Sequence, residues 1–243
     1  QGVVTADIAA DVADTQGDNT TNLAAPQFSR TFDSIAPTVA ISAPSATGTN
    51  TGPVSYTVTY AGADAVPLAS GDVSLDITGT ATATVAVTGS GLTIRTVTLS
   101  SITGDGTLGI TLGTGTASDS AGNLSAGATS TTFNVDNTAP APPVIDAPNG
   151  GADFITSDDS DLTLSGTCPA GISIEVNGSG AGVTYSDGGT TWTCQTGTLL
   201  PGDNVFSVTA VDAIGNASTA STIVITFEEA PKVPLRAWPF LIA

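Results

Sequence analysis

The sequence predicts an all-β protein of tandem β-sandwich modules strung into a rod, and three observations point there. No stretch of about 12 residues carries apolar positions at helical spacing. Thr and Ser make up about a quarter of the 243 residues, with Val and Ile common, which suits short strands having one polar face. Third, one short motif returns three times along the chain, at intervals of roughly 100 residues, the length of a single sandwich.

The motif runs Val12-Ala-Asp14-Thr-Gln-Gly17-Asp18-Asn19, then Ala117-Ser-Asp119-Ser-Ala-Gly122-Asn123, then Val211-Asp212-Ala-Ile-Gly215-Asn216. Each copy leads through a Thr/Ser-rich strand to an acidic residue and Ala-Pro: Asp33-Ser-Ile-Ala-Pro37, Asp136-Asn-Thr-Ala-Pro140 and Glu228-Glu-Ala-Pro231. A strand ends at the Asp, Gly-Asn supplies a backbone tolerant of positive φ, and the chain turns back into the next strand. Ala-Pro then stops pairing and starts the following module in an extended conformation, and such short linkers favour a rod. The modules are therefore set at residues 37–139 and 140–231, with residues 1–36 as the last two strands of an incomplete module and 232–243 as an apolar tail.

Alternation places the strands. In the middle module they fall at residues 37–43, 54–60, 73–78, 81–88, 92–100, 107–117 and 130–136. Val54, Tyr56, Val58 and Tyr60 alternate with polar residues, as do Val73, Leu75 and Ile77, and Gly104-Asp105-Gly106 signals a tight hairpin. In the last module strands fall at residues 143–147, 161–168, 172–177, 182–186, 190–196, 204–212 and 222–227. Trp192 and Cys194 share a strand face and are expected in the core near Cys168. Seven strands apiece suit a sandwich.

The pattern Asp-x-x-Gly-Asn, a Thr/Ser-rich strand, then Asp136-Asn-Thr-Ala-Pro140 resembles the immunoglobulin-like repeats of bacterial surface proteins and large adhesins, over nearly all of residues 1–231. The resemblance implies an extracellular, non-enzymatic stalk or adhesive array, at the bacterial cell surface or secreted. A carbohydrate- or receptor-binding accessory module of a larger secreted protein is the alternative, and would need exposed aromatics, for which Trp238, Tyr60 and Tyr185 are the candidates.

Charge excludes other functions. Four Lys and Arg stand against 22 Asp and Glu, a formal net charge of −18, so nucleic acid and anionic membrane would repel the chain. There is no His, which removes imidazole bases, Ser-His-Asp triads and most zinc sites. Two carboxylates beside a sugar-stacking platform would suit glycoside hydrolysis, but only 12 aromatic residues are present and most alternate into cores. No apolar run reaches the length of a membrane span, and the start at Gln1 suggests a processed, excised or incompletely recovered chain.

The acidic residues are 19 Asp and 3 Glu, and several gather near module ends: Asp14, Asp33, Asp119, Asp136, Asp212 and Glu228. Such oxygens could bind Ca2+ and stiffen the rod, or each Asp could simply form the turn its module needs. Asp153, Asp158, Asp159 and Asp161 form a second cluster open to the same two readings, a cation site or a solvated loop. The two cysteines, Cys168 and Cys194, are expected to form a disulfide in an oxidising compartment; two buried free thiols are the alternative. Asn19, Asn123, Asn177 and Asn216 each fit the Asn-x-Ser/Thr acceptor pattern, three of them inside the repeated turn.

The ends carry the polymerisation reading. Two strands cannot bury an apolar face by themselves. Residues 1–33, with Phe28 and Phe32, therefore need covering, either by preceding residues or by another chain. The tail, with Trp238, Phe240, Leu241 and Ile242, is apolar enough to be a donated strand, although Pro234 and Pro239 restrict its length. Val233-Pro-Leu235 with Trp238 also resembles the start of a bacterial C-terminal sorting tail, without a spanning apolar run or terminal basic cluster. The partners expected are neighbouring modules or a second copy, and a surface receptor or glycan.

Overall fold

The computed structural model describes residues 2–7, 24, 26–158 and 160–229, and divides the chain into two units, Gln1–Asp136 and Asn137–Ala243. The first unit opens with β1 (Gly2–Ala6) and β2 (Phe28–Phe32), which among the described strands pair only with each other, as an antiparallel ribbon. The remainder of this unit is a sandwich. Its strands are β3 (Thr38–Ile41), β4 (Gly48–Thr49), β5 (Val54–Ala61), β6 (Val73–Gly79), β7 (Thr82–Thr88), β8 (Ile94–Thr103), β9 (Gly106–Leu112), β10 (Ala128–Thr129) and β11 (Phe133–Val135). One sheet runs β3–β5–β8–β7. In the other, β9 pairs with β6 on one side and with β10 and β11 on the other, and β4 lies parallel beside β11.

Period-two alternation builds the core. Along β5, Val54, Tyr56, Val58 and Tyr60 are buried while the residues between them face outward. They meet Val97, Leu99, Leu108, Ile110, Leu112 and Phe133 from the neighbouring strands. In β8 the inward set is Arg95, Val97 and Leu99, then Ile102: an extra residue at Ser101, in the left-handed region at φ 51°, shifts the face by one. Arg95, although charged, is buried, and its guanidinium donates to the Ile94 and Val66 carbonyls at 2.9 and 2.7 Å.

The second unit repeats this topology with β12 (Val144–Ala147), β13 (Phe154–Thr156), β14 (Thr163–Thr167), β15 (Ser173–Val176), β16 (Thr184–Ser186), β17 (Thr191–Gln195), β18 (Gly202–Val211) and β19 (Ser221–Phe227). Its sheets run β12–β14–β17–β16 and β13–β19–β18–β15, strand for strand the order of the first sandwich, including a short strand lying parallel to the last one. The chain thus begins in one sheet and crosses to the other, and the two four-stranded layers are the immunoglobulin-like arrangement. Ile145, Leu164, Ile174, Trp192, Val208, Ile223 and Ile225 form the core. Gly166 sits opposite Trp192, and a β-carbon there would lie 3.0 Å from the indole and 1.8 Å from the Val144 carbonyl oxygen.

The all-β sandwich expectation holds; its details move. The short parallel strands β4 and β13 were not expected, because two or three residues carry no legible alternation. The strand expected over residues 107–117 ends at Leu112, and the one over 130–136 shortens to β11, with β10 just ahead of it. Of the two strands expected within residues 1–36, the described parts are β1 and β2.

The disulfide is a correction: Cys168 and Cys194 are buried free thiols. Both point into the same core, but at opposite ends of one strand pair. Cys168 N donates to Thr190 O at 2.9 Å, while Cys194 stands opposite Leu164. Four residues of strand separate their levels, so at about 3.3 Å per residue the α-carbons stand about 13 Å apart. A disulfide spans about 4.4–6.8 Å. Burial pushes both thiols' pKa up, with Asp161 adding to the effect at Cys194, so both are held protonated. Free thiols at both positions give no support to an oxidising compartment.

Candidate functional site

The repeated motif closes into the same loop in both sandwiches. Asp119 N donates to Asn123 O, and Gly122 N to Asp119 O, both at 3.2 Å. The Asp119 carboxylate accepts from Asn123 twice at 2.8 Å, Oδ1 from its N–H and Oδ2 from its side-chain Nδ2. Asp212 does more: Oδ1 accepts from the N–H groups of Ile214, Gly215 and Asn216 at 2.7–2.9 Å, and Oδ2 from Asn216 Nδ2 at 2.8 Å. Gly122 and Gly215 sit at φ 91° and 100°, a conformation that side chains disfavour. The Asn123 side-chain amide, helped by backbone N–H groups, holds the Asp119 carboxyl below its usual pKa. At Asp212 desolvation works to raise it and is outweighed by the amide and N–H groups of Asn216 with those of Ile214 and Gly215.

Asn123 has a second task that sequence reading missed. Its Nδ2 also donates to the Asp33 carbonyl at 3.1 Å, tying the loop to the segment that leaves the ribbon. The motif's Asn was legible as a turn residue, whereas its reach across 90 positions has no sequence signal.

The calcium reading finds no support among the described residues, where no group of three or more His, Cys, Asp or Glu gathers. Asp33 Oδ1 accepts from Ile35 N, and the backbone N–H groups of Asp136 and Glu228 donate to Thr49 and Thr156 carbonyls, fastening the short parallel strands β4 and β13. Asp14 lies outside the described residues. The second cluster disperses likewise: Asp153 accepts from Val224 N, Asp158 from Ser160 N and Asp161 from Gly197 N, with Asp159 outside the described residues. The turn-former reading is the one these geometries express.

Other sequence candidates resolve in the same way. Tyr60 is 2% exposed and buried in the core, and Tyr185 is partly exposed with its hydroxyl accepting from Ile174 N at 2.6 Å. Neither builds a stacking platform, and Trp238 lies outside the described residues. The Nδ2 groups of Asn123 and Asn216, in two of the glycan acceptor patterns, donate to Asp119 and Asp212. Asn177 Oδ1 accepts from Ser207 N, and Asn19 lies outside the described residues.

The ribbon is the site the geometry marks most clearly. Cross-strand neighbours share a face, so Gly2 with Phe32, Val4 with Arg30, and Ala6 with Phe28 form one face. The Arg30 guanidinium lies 5.5 Å from the Phe28 ring centroid. The same register recurs at the end of each sandwich: Gly2 pairs with Phe32, Gly106 with Val135, Gly202 with Phe227, each followed by an acidic residue. Val135 and Phe227 are 2% and 8% exposed, but Phe32 is 63% exposed. The ribbon thus has the register of the strand pair that closes each sandwich, with its large apolar residues exposed. Phe240, Leu241 and Ile242 lie outside the described residues.

No family model and no curated protein matches the chain. Among solved structures, it is similar to the fibronectin(III)-like modules of Clostridium thermocellum CbhA at 14% identity, covering 82% of this chain and 99% of that one, with a TM-score of 0.38. It is similar to the BSP domain of a biofilm associated protein at 20% identity, TM-score 0.27, over 79% of this chain and 30% of the other. The N-terminal part of the bacterial S-layer protein SbsC matches at 18% identity and TM-score 0.27, over 80% of this chain and 45% of that one. The sandwich assignment rests on strand order and register rather than on these distant likenesses. Among the described residues, no helix is long and apolar enough to cross a membrane.

Proposed function

We propose that this chain is a structural segment of an extracellular bacterial surface protein: a stalk, adhesin segment or fibre subunit of immunoglobulin-like repeats that works mechanically rather than catalytically. The observation that carries the reading is the ribbon. Its register copies the closing strand pair of both sandwiches, yet the face bearing Phe28 and Phe32 stands open, at 57% and 63% exposure. An apolar face of a strand pair needs a second layer. A neighbouring module in a longer array supplies it in a stalk. In a fibre, residues 232–243 of another copy, with Trp238, Phe240, Leu241 and Ile242, supply an added strand head to tail.

Electron microscopy of the native chain separates these. Filaments that vanish when residues 232–243 are deleted support head-to-tail complementation. Isolated short particles at every concentration overturn the fibre and leave the stalk segment. Saturable binding on a saccharide array would replace both with the accessory-module alternative.

A further inference from the structure

The sheet β3–β5–β8–β7 stands apart electrostatically. Residues 34–63 and 77–104, which contain all four of its strands, hold neither Asp nor Glu, in a chain that has 22 of them. Their one charged residue is Arg95, which is buried. The outward residues are Thr, Ser and Ala along most of their length, among them Thr57, Thr59, Thr84, Ala86, Thr88, Thr96 and Thr98.

Among the described strands, β7 is an edge of this sheet, paired with β8 alone. Proteins protect such edges by shortness, charge, Pro or a bulge. The other edges of the two sandwiches use those devices. β3 is four residues long between Pro37 and Pro44, and β6 carries Asp76. β12 carries Asp146 and a register shift, β15 carries Glu175, and β4, β13 and β16 have two or three residues. β7 has seven residues, no charge and no Pro; the extra residue at its register shift belongs to β8. The turn Ser70–Asp72 packs beside it, with the Asp72 carboxylate turned back onto Ala69 N at 2.9 Å.

The sequence of β7 is also self-complementary. Thr84-Val85-Ala86-Val87-Thr88 reads the same in both directions. We propose that β7 is an interface for a second copy of this chain, the two β7 strands pairing antiparallel about a two-fold axis at Ala86. Thr84 then stands opposite the partner's Thr88, Val85 opposite the partner's Val87, and Ala86 opposite the partner's Ala86. Two isologous edges join the four-stranded sheets into one of eight. Cross-strand Thr hydroxyl pairs of the kind this creates already occur within the chain, Thr78 with Thr107 at 2.8 Å and Thr184 with Thr193 at 2.6 Å. A second copy is the fitting occupant because two chains of charge −18 repel wherever carboxylates line the approach, whereas β7 carries none and the neighbouring Asp72 is turned back onto Ala69 N.

Sedimentation of the full chain tests this between about 10 μM and 1 mM, the range suited to a small interface. A dimer that tightens with added salt is expected, since salt screens the remaining acidic surface. Ala86→Asp places like charges face to face and should weaken association by about tenfold or more, with the melting curve unchanged because Ala86 is exposed. Ala86→Cys, oxidised mildly, should give a covalent dimer, since directly opposite α-carbons lie about 4.5–5.5 Å apart. A monomer throughout the range at high salt overturns the proposal, as does a dimer indifferent to Ala86→Asp or one that Ala86→Cys does not cross-link. The pairing is independent of the ribbon: Phe28→Ser with Phe32→Ser should leave it intact, and Ala86→Asp should leave any head-to-tail filament intact.

Discussion

Gly166 shows how much one missing side chain sets in the second sandwich. It lies mid-strand in β14, between β12 and β17, where glycine ordinarily weakens a strand. Here it lets the Val144 carbonyl approach on one side and the fully buried Trp192 indole lie close on the other. The indole Nε1 finds no hydrogen-bond partner among the described residues, so packing of the ring, rather than a polar contact, holds it in place. Gly166→Ala would put a methyl 1.8 Å from a backbone oxygen, and the strands must part to admit it. The expected loss is about 1–3 kcal/mol in denaturant unfolding, the usual cost of overfilling a packed core. An unchanged midpoint would show that β12 yields freely and that Trp192 is not seated as described. Nothing in the sequence marks this glycine among the 28, because its demand comes from residues 22 and 26 positions away that only the sheet brings together.

At the scale of the element, equivalent strand pairs in unequal surroundings offer a controlled comparison. Phe32 and Phe227 occupy the same register, opposite Gly2 and Gly202, and differ in exposure, 63% against 8%. Phe227→Ser should destabilise the second sandwich by about 3 kcal/mol or more, as loss of a buried aromatic does. Phe32→Ser should leave the melting of the isolated chain nearly unchanged and act only where something covers the ribbon, by weakening filaments. Equal destabilisation by both would mean that the ribbon face is already covered within one chain. The repeat made this equivalence legible: the acidic residue and Ala-Pro ending identified the last strand of each module, and alternation identified β5, β18 and β19. The short parallel strands escaped notice because their partners, β11 and β19, fix them, not their own residues. The disulfide went wrong at the same level. Both cysteines face inward as parity requires, but their separation along the strands depends on register, which composition and spacing do not carry.

For the whole molecule the dominant quantity is charge, −18 at neutral pH with an isoelectric point near 4.1. As pH falls toward that point, self-repulsion declines, so stability should hold or rise and the β7 pairing should tighten. Below it a second effect takes over. Asp119, Asp158 and Asp212 have pKa values below the usual carboxylate range: the Asn123 amide lowers Asp119, the N–H and hydroxyl of Ser160 lower Asp158, and at Asp212 desolvation is outweighed by Asn216 and neighbouring N–H groups. A carboxyl with a depressed folded-state pKa contributes stability that is complete above its unfolded value, about 4, and is lost as pH falls through the folded value. The turns that close the repeats should therefore remain locked at the isoelectric point and fail together at lower pH. Scanning calorimetry from pH 7 to 2 should show a melting temperature that is level or rising to about pH 4 and drops steeply below it. Asp119→Asn with Asp212→Asn should lower the melting temperature at neutral pH and flatten the acid limb, since neither amide has an ionised form to lose. An acid limb equally steep in the double variant would place the acid-sensitive groups elsewhere and detach the repeated motif from the stability of its modules.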